Sequence, residues 1–113
     1  MCSMILGLEP QIRGVFVYHF NGELLAGGMR SDVKPHLPPE EMTKSALNTI
    51  LRWKTRELLY PFLGVGKYSM TEYEKMKHIA FPLNESVLLV VGTDVKIDHA
   101  IIINKILQLI NEK

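Results

Sequence analysis

The stretch RGVFVYHFNGELLAGGM, residues 13–29, reads as a β-hairpin, and the other elements can be placed around it. Its first half is rich in β-branched and aromatic side chains, which fit a pleated, half-buried surface. On such a strand, 13–20, Phe16, Tyr18 and Phe20 project to one side and Val15 and Val17 to the other. Asn21-Gly22 is a strong hairpin signal, because both central residues of a type I′ turn need positive φ. ELLAGGM is then the returning strand, and its Gly27-Gly28 pair suits a bulge or a strand end. So many glycines also raise the question of a phosphate-cradling loop. That loop needs Gly-x4-Gly-Lys-Ser/Thr between a strand and a helix. Residues 20–30 have neither the spacing nor the lysine, and in GVGKYS at 64–69 the two glycines stand too close together. Neither stretch is read as a nucleotide site.

Upstream, residues 1–9 read as a short helix ended near Pro10; with no basic leader and with Glu9 close by, they are not read as a signal peptide. Downstream, RSDVKPHLP (30–38) is a loop. Pro39 suits the first turn of a helix, where its missing N–H would lack a partner anyway. Glu40 and Glu41 then sit near the positive end of the helix dipole. This helix is expected to run to Leu59 or Tyr60, before Pro61 and Gly64. Strands follow at 67–74, 75–83 and 86–92. In the second of these Lys77, Ile79 and Phe81 share one face, and Met76, His78 and Ala80 the other. The third, SVLLVVG, is a continuous apolar run that suits a central strand buried on both faces. Asn84-Glu85 makes a tight connection, and Asp98 is a good N-cap for a last helix over 99–111.

The two long helices differ. In the last, Ile102, Ile103, Ile106, Leu107, Leu109 and Ile110 fall in one arc of about 160°, as on a helix laid against a sheet. In the middle helix Met42, Ala46, Ile50 and Trp53 form one stripe and Leu47, Leu51 and Leu58 a second, together about 200°. One sheet face needs only about 100°, so the second stripe needs another partner. The order α-β-β-α-β-β-β-α predicts an α+β fold: a five-stranded antiparallel sheet between helical layers.

The chain has 113 residues, 47% of them hydrophobic and 22% charged, which fits a single domain over 1–113 with a core that needs no staples. The formal net charge of +1 does not suggest nucleic-acid binding. Residues 30–78 nevertheless hold nine Lys/Arg against six Asp/Glu. Cys2 is the only cysteine, so an internal disulfide and Cys/His zinc spacing are both absent, and a reducing cytoplasm fits. No apolar run approaches the roughly 20 residues of a membrane span.

The hairpin GVFVYHFNGELLAG followed by a long helix resembles the roadblock and dynein-light-chain-like family, whose profilin-like α/β/α sandwich is shared with longin domains. The family's hairpin more typically has Asp-Gly where this chain has Asn21-Gly22. LLAGGMR (24–30), LRWKTRE (51–57), YSMTEYEK (68–75) and IDHAIIINKILQLI (97–110) are similar to a group of small uncharacterised archaeal proteins of roadblock-like build. The resemblance implies a homodimerising scaffold, a platform for a small GTPase or its regulator, with no catalytic residue common to the family.

Read by themselves, few residues point to chemistry. Arg30, Lys34, Arg52 and Arg56, with His36 and Lys54 near them, could make an anion site or meet an acidic partner; the plainer reading is a solvated face paired with Glu40, Glu41 and Glu57. Arg52 and Arg56 lie one turn apart and face the same way. Trp53 is read as core rather than as an interface anchor. His19, His36, His78 and His99 are scattered, and Asp98 beside His99 serves better as a cap than as a dyad partner. Tyr68 to Tyr73 reads as a polar edge strand, either solvated or awaiting another strand. The expectation is a non-enzymatic homodimerising adaptor with no cofactor or metal. Its dimer interface is drawn from Leu47, Leu51, Leu58, Tyr68, Met70, Thr71 and Tyr73. The alternative is a small-molecule sensor with a cavity lined by Phe16, Trp53 and Phe81.

Overall fold

The structure is a computed structural model that describes residues 1–111. Its elements are α1 (Cys2–Leu6), β1 (Ile12–His19), β2 (Leu24–Met29), α2 (Pro39–Glu57), α3 (Tyr60–Leu63), β3 (Ser69–Glu72), β4 (Met76–Pro82), β5 (Val87–Asp94) and α4 (His99–Asn111). The strands form one antiparallel sheet in the order β2-β1-β5-β4-β3. The apolar run of β5 takes the central place, with Leu88 to Thr93 all buried. A strand with water on neither face can be hydrophobic throughout.

Two helical layers cover the sheet. On one face Val15, Ile79, Phe81, Leu89 and Val91 pack with Ile5 of α1 and with Ile102, Ile103 and Ile106 of α4. On the other, Ile50 and Trp53 of α2 pack with Ala80, Leu88 and Val90, and with the half-buried Phe16, Tyr18 and Phe20. The alternation read from β1 and β4 is therefore the alternation observed. A helix the length of α4 is marginal alone in water, so these isoleucine contacts hold it. Its start is fixed by Asp98, whose Oδ1 accepts from the N–H of Ala100 at 3.2 Å and of Ile101 at 3.5 Å.

Several boundaries differ from expectation. α1 stops at Leu6 rather than near Glu9. Arg30 lies against its end: its guanidinium donates to the carbonyls of Leu6, Glu9 and Ile12, the last at 2.9 Å, so loose carbonyls find a partner without further helix. The β1–β2 turn is not type I′, since positive φ occurs at Gly22 alone and not at Asn21. The turn closes from the Gly22 N–H to the His19 carbonyl at 2.9 Å, while Asn21 Oδ1 accepts from the Glu23 N–H at 2.9 Å. An Asn side chain bonded to backbone two residues on makes this shape without leaving the common φ range.

In β2 the register shift falls opposite Val17 and Tyr18, where Ala26 and Leu24 are paired and Leu25 is the extra residue. It does not lie at Gly27-Gly28. Gly27 instead has φ +91, and a Cβ there would overlap the Val15 carbonyl oxygen. α2 ends at Glu57, two to three residues early, and the chain forms the short α3, unexpected from the sequence, before Gly64 at φ +89. β3 is shorter than its expected span of 67–74.

Candidate functional site

The middle helix α2 carries the surfaces of interest, and strand order decides which surface faces what. Its sheet-facing stripe is buried at Ile50 and Trp53, 4% and 1% exposed, and half-buried at Met42 and Ala46. The Trp53 Nε1–H donates to the Tyr60 hydroxyl at 2.9 Å, which satisfies a buried indole and holds α3 against the end of α2. Trp53 is thus a core residue, as its stripe indicated. The second stripe is left in water, with Leu47 45%, Leu51 66% and Leu58 72% exposed.

One flank of α2 borders the β1–β2 hairpin. Leu47 Cδ2 lies 3.0 Å from where a Cβ on Gly22 would sit, and Lys54 Nζ stands 4.7 Å from the centroid of the Phe20 ring. The leucine stripe lies on this side. Beyond it the α2–α3 junction, α3 and the following loop expose Leu59, Phe62, Leu63 and Val65, with Phe62 83% exposed. Sequence reading missed this apolar extension; the signal was the unbroken run LLYPFLGV (58–65), which has neither strand nor helix periodicity.

The opposite flank borders β4 and β3. There Thr49, Arg52 and Arg56 share a shallow recess with Ser69, Thr71 and His78. Among the described residues neither guanidinium has a carboxylate partner. Glu41 and Glu57 pair instead with Lys44 and Lys54, at 3.3 and 3.6 Å. His78 is held below the ordinary histidine pKa, first by burial and then by the Arg52 charge. Its ring meets Tyr73 edge-on at 5.7 Å.

Two groupings expected from the sequence are therefore not brought together. The leucine stripe and β3 lie on opposite flanks of α2, so they do not form one continuous patch. Met70 is partly buried against the α4-side core, so β3 is less solvated than its sequence suggests, and just before it the exposed Tyr68 ring lies tilted 6.3 Å from Phe81. Arg30 is occupied with carbonyls at the far end of the sheet, and Lys34 sits in the loop before α2, where its own carbonyl accepts from Arg13. Only Arg52 and Arg56 of the four basic candidates share a site.

The histidines are employed singly. His19 Nδ1 accepts from the Asn21 N–H at 3.0 Å, and His99 Nδ1 lies 2.9 Å from Lys77 Nζ. Among the described residues no group of three His, Cys, Asp or Glu side chains is placed to hold a metal ion. GVGKYS follows α3 and leads into β3, the wrong context for a phosphate loop. Phe16 and Trp53 lie on the α2 side of the sheet and Phe81 on the other, so these three do not line one cavity. No helix among the described residues is long and apolar enough to cross a membrane.

Residues 1–112 match a family described as a family of unknown function, DUF6659. The chain belongs to this family. No curated protein matches it. Its fold is that of Roadblock/LC7 domains, as solved structures show. A Roadblock/LC7 domain from Streptomyces avermitilis superposes with a TM-score of 0.75 at 11% identity, covering 98% of this chain and 89% of that one. MglB of Myxococcus xanthus gives 0.74 at 18% identity, covering 98% and 86%. A gliding protein, mglB, from Thermus thermophilus gives 0.67 at 17% identity, covering 99% and 87%. This DUF6659 chain therefore carries the α+β architecture expected from its sequence.

Proposed function

We propose that this DUF6659 protein is a non-enzymatic adaptor of the cytoplasm, of archaeal type, that forms a homodimer and offers a second surface to a partner protein such as a small GTPase or its regulator. The observation that carries this reading is the pair of uncovered surfaces on opposite flanks of α2. One is apolar, with Leu47, Leu51 and Leu58 continuing into α3. The other is polar and basic, with Arg52 and Arg56 beside the free edge of β3. Permanent interfaces are the more hydrophobic kind and exchangeable ones the more polar. The leucine flank is accordingly assigned to self-association. Tyr68, Thr71 and Tyr73, with the two arginines, are assigned to an acidic partner that adds a strand to β3. Met70 contributes there through its backbone, its side chain being partly in the core.

Light scattering at micromolar concentration tests the first half, and the mass of one chain would overturn it. The second half requires that binding to an identified partner weaken as salt rises, because the Debye length falls to about 8 Å at physiological ionic strength. Salt-insensitive binding that survives Arg52→Glu with Arg56→Glu would refute it.

A further inference from the structure

A row of residues crosses the α2-facing side of the sheet at one level: Met29, Gly14, Gly92 and His78, each the register partner of the next. Two adjacent positions in this row have no side chain. The result is a hollow of about 60 Å³ between the sheet and the first half of α2, partly open and walled by the loop at Pro35 to Leu37. The neighbours lean over the gap. A Cβ on Gly14 would stand 2.9 Å from Phe16 Cε2 and 3.0 Å from Met29 Sδ, and one on Gly92 3.2 Å from Met76 Cε, so these side chains narrow the hollow over the two glycines. Met42 of α2 adds a third methionine to the walls. Methionine walls adapt to a small apolar guest.

The hollow also has a polar corner. β1 carries a register shift between Ile12 and Gly14, which leaves Arg13 as the extra residue. A bulge re-aims the side chain it carries. Arg13 lines the hollow and donates from one terminal nitrogen to the Lys34 carbonyl, but its Nε–H is buried with no partner among the described residues. Buried donors are nearly always paired, so an unpaired one calls for an acceptor. His78, also in the wall, is held below its ordinary pKa by burial and by Arg52, and adds no positive charge at neutral pH.

We propose that this hollow binds a short-chain carboxylate, its alkyl end among Met29, Met42 and Met76 and its oxygen accepting from the Arg13 Nε–H. Room for one water is about 15 Å³, so the space corresponds to a guest of roughly four to six heavy atoms, the range from acetate to butyrate. The carboxylate supplies the counter-charge that the Arg13 guanidinium lacks among the described residues, and the methionines exclude more polar guests. This inference does not depend on the adaptor reading.

The chain has six methionines, and only Met29, Met42 and Met76 line the hollow, so methyl-labelled methionine gives internal controls. The test titrates sodium butyrate into the labelled full chain at constant ionic strength, with 1-butanol as the neutral comparison. Saturable shifts are expected at the three lining methyls and none at Met1, Met4 or Met70. Arg13→Leu should weaken butyrate at least tenfold and leave 1-butanol unchanged, whereas Ala46→Leu, which fills the space from α2, should abolish both. Shifts that grow linearly at all six methyls, or butyrate bound equally well by Arg13→Leu, would overturn the proposal. The Arg13 comparison stands whether or not the Ala46 variant folds.

Discussion

Lys77 Nζ, buried under the start of α4, lies 2.9 Å from His99 Nδ1 and donates to the Ile97 carbonyl at 2.9 Å. The lysine has no acceptor of its own, so His99 presents an unprotonated Nδ1. Glu72 is 3.9 Å away across the β3–β4 pair. One side chain thus ties the edge strand, β4 and the last helix together. Lys77→Ala leaves a buried carbonyl and a ring nitrogen unpaired and opens a void, so it should cost about 3–5 kcal/mol in urea unfolding. Lys77→Met, which restores the volume, should cost less. Equal losses from the two substitutions would mean that the polar contacts alone matter at this position, and a Lys77→Met variant as stable as wild type would mean that packing alone does.

Gly27 and Gly28 are neighbours with opposite expected tolerance. An added Cβ at Gly27 overlaps the Val15 carbonyl oxygen and sits on a backbone with φ +91, whereas at Gly28 nothing stands within 4 Å. Gly27→Ala should therefore destabilise by about 3 kcal/mol or more, with the β1–β2 pairing disrupted, while Gly28→Ala should stay within about 1 kcal/mol of wild type. Parallel thermal melts decide between this and a strand edge loose enough to absorb both.

His78 sets a pH dependence. Its folded pKa lies below the ordinary 6.5, through burial first and the Arg52 charge second. The folded state therefore binds fewer protons than the unfolded one as pH falls through 6.5, and stability drops from there down to the folded pKa. Above 6.5 this histidine contributes no slope. Arg52→Gln should raise the folded pKa part of the way and flatten the loss, and His78→Gln should remove this site's share. Titration of the His78 ring by NMR gives the pKa directly, and a midpoint at or above 6.5 would contradict the burial of the ring.

How much was legible beforehand follows from how far each feature's causes lie along the chain. The alternation of Val15 with Phe16 and the apolar run of β5 are local, and both appear in the sequence as they do in the sheet. The two stripes of α2 are local as well. Which strand each flank meets is not, because it depends on the order β2-β1-β5-β4-β3; that order sets Arg52 beside Thr71 and Leu47 beside Gly22. Arg30 reads as a free cation in the sequence because the carbonyls of Leu6, Glu9 and Ile12 come to it only once the hairpin and α1 meet. The hollow was invisible for the same reason, since it needs Gly14 and Gly92 to become register partners.

The leucine flank gives the sharpest contrast between adjacent positions. Ile50 and Leu51 are successive residues on α2, yet one is 4% and the other 66% exposed. Burying a leucine is worth on the order of 1.5–3 kcal/mol, so the three of the stripe hold enough to drive association once its entropy cost is met. A two-fold axis joins the same surface of both chains, so one substitution acts twice. Leu51→Glu should split the dimer and leave circular dichroism and the melting transition of the monomer nearly intact, because its carboxylate stays in water. Ile50→Glu places a charge against Trp53, Leu88 and Val90 and should unfold the chain. Glu72→Pro, which removes an N–H from the free edge of β3, should leave the dimer whole if the leucine flank is the self-association surface. A dimer lost in Glu72→Pro and kept in Leu51→Glu would reverse the assignment of the two flanks.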